Sequence, residues 1–320
     1  MAYNNSRLVV PRATPGGVTV HFADKLRERI DKVKSALVVG IDPDPRRLFG
    51  EKSAFQKANP GLSKQALLDT FCETVIDAAS ETACAVKPQA AFFESMGLWG
   101  YASLAKCIRT ARTRGIPVIL DAKRGDIGNT ASAYATAYLD PSAEFFADAL
   151  TVNPYLGPDT LEPFAAAASK AGCGLFVLVK TSNPGSGAFQ DTLLADGRPL
   201  YMKVAQTVQE IGRAHAGDCG YSDIGAVVGA TYPEELAAIR KAMPETIFLV
   251  PGYGAQGGTA EDVRDAFNPG GYGAVVSSSR GIIFAYEKLG QDAGMRQIRE
   301  SMQEAAERAK SDIQQVTPSI

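Results

Sequence analysis

The sequence predicts an α/β protein that folds as a single (β/α)8 barrel, a TIM barrel. Eight short apolar runs recur along the 320 residues, and segments with helical periodicity lie between them. About 250 residues is a typical length for this barrel. The runs do not alternate with polar residues, which is typical of parallel strands buried on both faces. They lie at Leu37–Ile41, 84–86, 118–120, Ala149–Val152, 175–179, 224–228, 247–250 and 274–276.

Three segments that flank the runs show helical periodicity most clearly. In 22–33, apolar residues stand four, four and three positions apart, and the same spacing recurs in 67–78 and in 200–211. Residues at these spacings share one face of an α-helix, which can pack against a sheet. Strands that alternate with such helices are joined by right-handed crossovers and form a parallel sheet.

An open, doubly wound sheet is the alternative for alternating strands and helices. A dinucleotide-binding sheet of that kind has a glycine-rich turn after its first strand. Here that turn is DPDP at 42–45, which favours the barrel. We expect the barrel to span 21–311, between a flexible N-terminal tail at 1–20 and a C-terminal tail at 312–320. Two longer intervals are expected to form insertions at the strand-end rim: 43–62 and 181–199.

The composition excludes several classes of protein. Lys+Arg total 33 and Asp+Glu total 35, and this near balance argues against a nucleic-acid scaffold. No apolar run approaches the ~20 residues that cross a bilayer, so we expect a protein without membrane attachment. The five scattered cysteines indicate reduced thiols and a cytoplasmic location. With only His21 and His215, the chain offers little for a histidine zinc site or a Ser-His-Asp relay.

Charged residues follow several of the predicted strands. Asp42 follows the first run, Lys87 the second, residues 121–126 (DAKRGD) the third, Lys180 the fifth and Arg280 the eighth. In this barrel, catalytic groups come from the C-terminal ends of the strands. The sequence therefore predicts an active site at that end of the barrel.

The third strand carries the most informative pair. Asp121 and Lys123 are two residues apart, so on an extended chain both side chains project from the same face. An ammonium beside carboxylates keeps its proton, whereas a Schiff-base lysine needs a lowered pKa. The pattern therefore favours Lys123 as a proton donor. Asp126 lies three residues further on, beyond the strand.

The loops after the seventh and eighth strands indicate a phosphate site. Barrels commonly bind phosphate there, and glycine-rich turns expose backbone N–H groups to anions. Residues 251–258 read PGYGAQGG and include Gln256. Ser279 and Arg280 follow the eighth strand, and Arg280 can contact an anion through two parallel hydrogen bonds.

Residues 121–128, DAKRGDIG, resemble the D-x-K-x-x-D signature of the orotidine 5′-phosphate decarboxylase family. Further words resemble the longer bacterial subgroup of that family, and the resemblance spans residues 37–285. The signature alone is shared with hexulose-phosphate synthases of a wider superfamily, and the further words make the decarboxylase the better fit. Those words are VGIDP at 39–43, VKPQ at 86–89, KTSNPG at 180–185 and PGYGAQGG at 251–258.

The resemblance implies conversion of orotidine 5′-monophosphate to uridine 5′-monophosphate in pyrimidine biosynthesis, with no cofactor and no metal. Lys123 would protonate C6 of the pyrimidine as carbon dioxide leaves. Asp121 would stand near the substrate carboxylate, and Lys87 would hold Asp121 and a ribose hydroxyl. Asp42 would bind the ribose.

The resemblance also implies a homodimer, in which Asp126, with Thr130, reaches into the partner's site. Ser182 and the backbone beside Pro251 would read the pyrimidine ring. The phosphate would be held by Gln256, Arg280 and the amide near Ser279.

Two other functions are compatible with the same barrel. In a metal-dependent sugar-phosphate lyase or synthase, the strand-end carboxylates would bind Mg²⁺ and stabilise an enediolate. A non-catalytic barrel would bind a phosphorylated ligand at the same rim without turning it over. Dependence on magnesium would indicate the first, and equal, negligible turnover by the protein and its Lys123→Ala variant would indicate the second.

Overall fold

The computed structural model describes residues 20–230, 233–253, 258–317 and 320. Strands and helices alternate throughout this part of the chain. The strands are β1 (Leu37–Ile41), β2 (Ala85–Pro88), β3 (Ile119–Arg124), β4 (Ala149–Val152), β5 (Gly174–Lys180), β6 (Ser222–Val228), β7 (Thr246–Val250) and β8 (Ala274–Ser278). The α-helices are α1 (Phe22–Val33), α2 (Pro45–Leu48), α3 (Ala54–Lys57), α4 (Lys64–Ala79), α5 (Ala90–Glu94), α6 (Gly97–Thr113), α7 (Gly128–Leu139), α8 (Glu162–Ala171), α9 (Gly187–Gln190), α10 (Leu200–Gly212), α11 (Pro233–Ala242), α12 (Ala260–Val263), α13 (Arg280–Ile283) and α14 (Met295–Val316).

The eight strands form one parallel sheet in the order β2-β1-β8-β7-β6-β5-β4-β3. The ends of this sheet meet, because Val86 bridges to Val118 and Gln89 bridges to Asp121, both in parallel. The predicted barrel is thereby confirmed. The helices predicted at 22–33, 67–78 and 200–211 lie within α1, α4 and α10.

Alternate residues of each strand pack in two separate layers. Leu120 and Leu150 face the surrounding helices, whereas Ile119 and Ala149 face the barrel interior. Each fully buried large aliphatic side chain contributes about 1.5–3 kcal/mol. This two-sided burial explains why the strands read as uninterrupted apolar runs.

Helix α1 closes one end of the barrel. Its Phe22 ring packs edge-on against Phe176 of the interior, with ring centroids 6.1 Å apart. A Cβ on Gly174, the first residue of β5, would lie 2.2 Å from the Phe22 ring, so only glycine admits this contact. The N–H of Ala23 donates to buried Asp223 at 2.9 Å. Because α1 covers the end where strands begin, the end where they finish is left for a site.

Tails were predicted at both ends of the chain, at 1–20 and at 312–320. The predicted N-terminal tail, 1–20, lies outside the described residues except for Val20. Helix α14 continues beyond residue 311, where a tail was predicted to begin, because Ile313 and Val316 bury their side chains against the barrel. The described ranges contain no helix with the length and apolar character to span a membrane.

Candidate active site

A cavity of about 550 Å³ opens where the strands end, opposite α1. Its lining comes from the ends of most strands and from the loops after β5 and β7. The structure therefore brings together side chains that are far apart in the sequence. Eight of the predicted site residues line it: Asp42, Lys87, Asp121, Lys123, Ser182, Pro251, Ser279 and Arg280.

The Asp121 carboxylate is the centre of the polar network in this cavity. Its Oδ2 atom accepts hydrogen bonds from Lys87 Nζ and Gln89 Nε2, each at 2.9 Å. Its Oδ1 atom accepts from Lys123 Nζ at 2.5 Å and from Thr151 Oγ1 at 3.0 Å. Four donors from three strand ends and one loop thus converge on one acid.

Burial and neighbouring charges shift the pKa values of this network in opposite directions. Burial alone would raise the pKa of Asp121, but the ammonium groups of Lys87 and Lys123 outweigh it and hold that pKa well below its usual range. Burial alone would lower the pKa of Lys87, but Asp121 and Asp42 outweigh it and raise that pKa. Asp121 and Lys87 therefore both stay charged near neutral pH.

The exposure of the two lysines differs. The side chain of Lys87 is 7% exposed, whereas that of Lys123 is 45% exposed. Lys87 is thus a fixed charge in the cavity wall, and Lys123 presents its ammonium to the open space. Of the two, Lys123 is the more accessible to a ligand.

Asp42 presents an unused acceptor. Its Oδ1 atom is buried and has no hydrogen-bond partner among the described residues. A buried carboxylate oxygen without a partner is costly unless a ligand or water donates to it. The geometry fits Asp42 to a hydroxyl-bearing ligand in this cavity.

Strand β3 is irregular at Asp121 and Lys123. The sequence argument placed both side chains on one face of an extended chain, and both do line the cavity. The backbone at Lys123, however, is left-handed, with φ at +47°. The assumption of a regular strand was therefore wrong at this point, although the convergence that it predicted is confirmed.

Residues that directly follow β7 and β8 also line the cavity. Ser279 lies so close to β1 that a Cβ on Gly40 would come within 1.9 Å of its hydroxyl oxygen. Arg280 is exposed at the start of α13. Tyr253, which also lines the cavity, donates from its hydroxyl to Asp312 of α14 at 2.7 Å. Gln256 lies outside the described residues.

The chain is similar in sequence to one family of proteins. Residues 35–291 match the model of the orotidine 5′-phosphate decarboxylase / HUMPS family. The chain belongs to this family. Orotidine 5′-phosphate decarboxylase of Rhodopirellula baltica is 49% identical over 276 residues, which cover 83% of this chain and 89% of that protein. Orotidine 5′-phosphate decarboxylase of Haloarcula marismortui is 45% identical over 279 residues, which cover 87% of this chain and 90% of that protein.

A solved structure extends the likeness to three dimensions. The structure of Leishmania donovani OMP decarboxylase matches with a TM-score of 0.71 and 32% sequence identity, and the match covers 94% of this chain and all of that chain. This structural match includes the barrel and thus the strand ends that carry the cavity.

Two residues that the family resemblance assigns to a partner's site lie away from the cavity lining. Asp126 accepts a hydrogen bond from the N–H of Ile127 at 2.8 Å, and Thr130 is exposed on the first turn of α7. This placement leaves both side chains at the rim. Their role in a partner's site stays a prediction.

Lys180 does not line the cavity, although it follows a strand like the other charged residues. Its side chain is 2% exposed, and Nζ lies 4.8 Å from the centre of the Tyr201 ring. Nζ also pairs with Asp191 and, at 3.2 Å, with Glu235 of α11. Lys180 therefore anchors the insertion at 181–199 against a helix.

Sequence reasoning missed two polar residues of this decarboxylase-family site. Gln89 belongs to the VKPQ word, yet its bond to Asp121 was not anticipated. Thr151 is the one polar residue of the run ALTV. A polar residue in an otherwise apolar strand was the sequence signal that could have identified it as part of the site. Within the described ranges, no group of three or more His, Cys, Asp or Glu side chains is arranged to hold a metal ion.

Proposed function

We propose that this carboxy-lyase converts orotidine 5′-monophosphate to uridine 5′-monophosphate with Lys123 as the proton donor to C6. The observation that carries the proposal is the Lys123–Asp121–Lys87 network at the cavity wall. Membership in the decarboxylase family and the names of the relatives support the substrate. They do not favour a metal-dependent sugar-phosphate lyase.

The reaction requires a group that stabilises the negative charge developing on C6 and then neutralises it by proton transfer. As the bond between C6 and the carboxylate breaks, carbon dioxide departs and its electron pair stays on C6. The Lys123 ammonium stabilises that charge and then transfers its proton to C6, which forms the new C–H bond. Asp121, beside the substrate carboxylate, would disfavour the bound ground state relative to the transition state.

The rest of the cavity would hold the nucleotide. We assign the ribose to Lys87 and to Asp42, whose buried Oδ1 atom has no hydrogen-bond partner within the described part of the chain. Ser182 and the backbone beside Pro251 would read the pyrimidine ring. Contacts with the phosphate lie far from the reacting carbon, yet their binding energy can lower the barrier there. We assign the phosphate to Gln256, Arg280 and the amide near Ser279.

We further propose a cytoplasmic homodimer that shares its two sites. Leu98, Ile127, Tyr155 and Leu156 are 90%, 61%, 78% and 52% exposed. They follow β2, β3 and β4 in the chain, and β3 pairs with β4 and bridges to β2. A cluster of exposed apolar side chains is typical of a protein interface. Since Asp126 immediately precedes Ile127, this surface would carry Asp126, together with Thr130, to the partner.

The activity can be tested without any cofactor. We expect loss of the absorbance of orotidine 5′-monophosphate at an unchanged rate when a chelator such as EDTA is present. Strict dependence on added magnesium would instead support the metal-dependent lyase. Binding of uridine 5′-monophosphate without any turnover of orotidine 5′-monophosphate would support the non-catalytic barrel.

Mixing two inactive variants tests the shared site. Lys123→Ala and Asp126→Ala should each be inactive alone. After subunit exchange, half of the dimers combine both variants, and one site in each regains both wild-type side chains. Recovery of roughly a quarter of wild-type kcat is therefore expected for a two-fold dimer. Mass spectrometry that shows mixed dimers without recovered activity would contradict a shared site.

A further inference from the structure

Thr151 makes three hydrogen bonds at the base of the cavity. The residue lies on β4 and is 1% exposed. Its hydroxyl donates to Asp121 Oδ1 at 3.0 Å. The same oxygen accepts from the backbone N–H groups of Ala122 at 3.0 Å and Lys123 at 2.9 Å. One donor and two acceptor positions are all that a hydroxyl offers, and each has a partner.

These bonds stand where the ladder between two strands is interrupted. Leu120 pairs with Leu150, and Arg124 pairs with Val152, so four steps along β3 face two steps along β4. The N–H groups in this bulge bond to the Thr151 side chain in place of a backbone carbonyl. Bulges of this kind redirect side chains and occur next to active sites.

The bulge contains the unusual backbone of Lys123. Its φ of +47° lies in the left-handed region, which residues with a Cβ avoid. Such a conformation persists where surrounding contacts hold it. Thr151 bonds to the N–H of Lys123 itself and also to the carboxylate that accepts from the Lys123 ammonium. One hydroxyl therefore restrains both ends of the lysine.

We propose that Thr151 is a positioning residue for Lys123. By holding the bulge of β3 and Oδ1 of Asp121 together, its hydroxyl fixes where the ammonium stands relative to the reacting carbon. The inference rests on the proposed decarboxylation. It adds to that function a residue that acts through Lys123.

Thr151→Val tests the role of the hydroxyl, because valine fills the same space without hydrogen bonding. Misplacement of a reacting group by about 1 Å can cost about 10²-fold in rate, so we expect kcat to fall by about that factor. KM and the affinity for uridine 5′-monophosphate should stay unchanged. Thr151→Ser, which keeps the hydroxyl and loses the methyl group, should restore kcat to near the wild-type value.

A second variant covers failure of Thr151→Val to fold. Thr151→Cys has a thiol that is a weak donor and a weak acceptor. Its kcat should therefore lie below that of Thr151→Ser and above the roughly 10²-fold loss expected when this hydrogen bonding is absent, as in Thr151→Val. Wild-type kcat in Thr151→Val or in Thr151→Cys would overturn the inference. A loss in Thr151→Ser as large as in Thr151→Val would also overturn it, since the methyl group would then be responsible.

A crystal structure of the variant separates this inference from the proposed function. In Thr151→Val, or in Thr151→Cys if valine prevents folding, φ of Lys123 should leave the left-handed region and its contact with Asp121 should lengthen. Unchanged Lys123 geometry would overturn the inference whatever the kinetics show. If the wild-type protein does not decarboxylate orotidine 5′-monophosphate, the proposed function fails, and this structural comparison still decides whether Thr151 positions Lys123.

Discussion

Replacing Lys123 with alanine is expected to lower kcat by about 10⁴-fold or more. The estimate combines a general acid, which contributes about 10²–10⁴-fold, with stabilisation of developing charge, which contributes about 10²–10³-fold. Lys123 is half exposed to the cavity, and its ammonium touches Asp121. Because the proposed ribose and phosphate contacts do not involve Lys123, the affinity for uridine 5′-monophosphate should change far less than kcat. Steady-state rates and calorimetric titration measure the two effects.

Two further variants separate the possible causes of that loss. Lys123→Arg keeps the positive charge but cannot release a proton at accessible pH, so it should remain nearly as inactive as Lys123→Ala. Lys170→Ala, on the exposed side of α8, serves as the control and should keep wild-type kcat. An active Lys123→Arg protein would show that charge alone suffices, which would contradict the proton-transfer role.

Strand-end residues explain why so much of this site could be predicted from the sequence. In a parallel barrel, residues that end neighbouring strands must meet at one face, whatever their separation along the chain. Asp42, Lys87 and Asp121 each end an apolar strand, and the structure brings them to one cavity. The signature around Lys123 predicts a chemistry for that cavity, which the Lys123 variants test.

Other features depend on contacts that no periodicity records. Lys180 ends a strand like Lys87, yet it turns toward acids on an insertion and a helix. The left-handed backbone at Lys123 depends on the neighbouring strand, where Thr151 replaces a carbonyl as acceptor. Asp126 lies at the rim, and its predicted role depends on contacts with a second subunit. Glu235, which pairs with Lys180, and Thr151, which bonds to Lys123, both lie on other elements of the fold.

Asp121→Asn should have the second largest effect, a fall in kcat of about 10³-fold. Asparagine keeps the shape of the side chain but removes the charge that holds Lys123 and that, in the proposed mechanism, opposes the substrate carboxylate. Misplaced donors and lost preorganised charge each cost about 10²–10³-fold. Asp196→Asn, in an exposed pair with Arg198, is the matched control and should keep wild-type kcat. An Asp121→Asn protein with wild-type kcat would contradict the assigned role of the carboxylate.

The same change should lower the free energy of unfolding at neutral pH by about 3 kcal/mol, because removing one partner of a buried ion pair leaves the other uncompensated. Lys87 is that partner, and its side chain is 7% exposed. Once Asp121 is neutral, burial is opposed only by Asp42, so the pKa of Lys87 should fall. Chemical denaturation of both proteins at a series of pH values measures the difference.

The pH dependence of that difference follows from the directions of the two pKa shifts. Asp121 has a lowered pKa in the folded protein, so its stabilisation is present above the unfolded value of about 4 and is lost as the pH falls through the folded value. Lys87 has a raised pKa, so its stabilisation is present below the unfolded value of about 10.4 and is lost as the pH rises through the folded value. The stability gap between wild type and Asp121→Asn should therefore be widest between about pH 5 and pH 9 and should narrow toward both extremes. A gap that stays constant from acid to alkali would show that packing, and not the charge on Asp121, accounts for the loss.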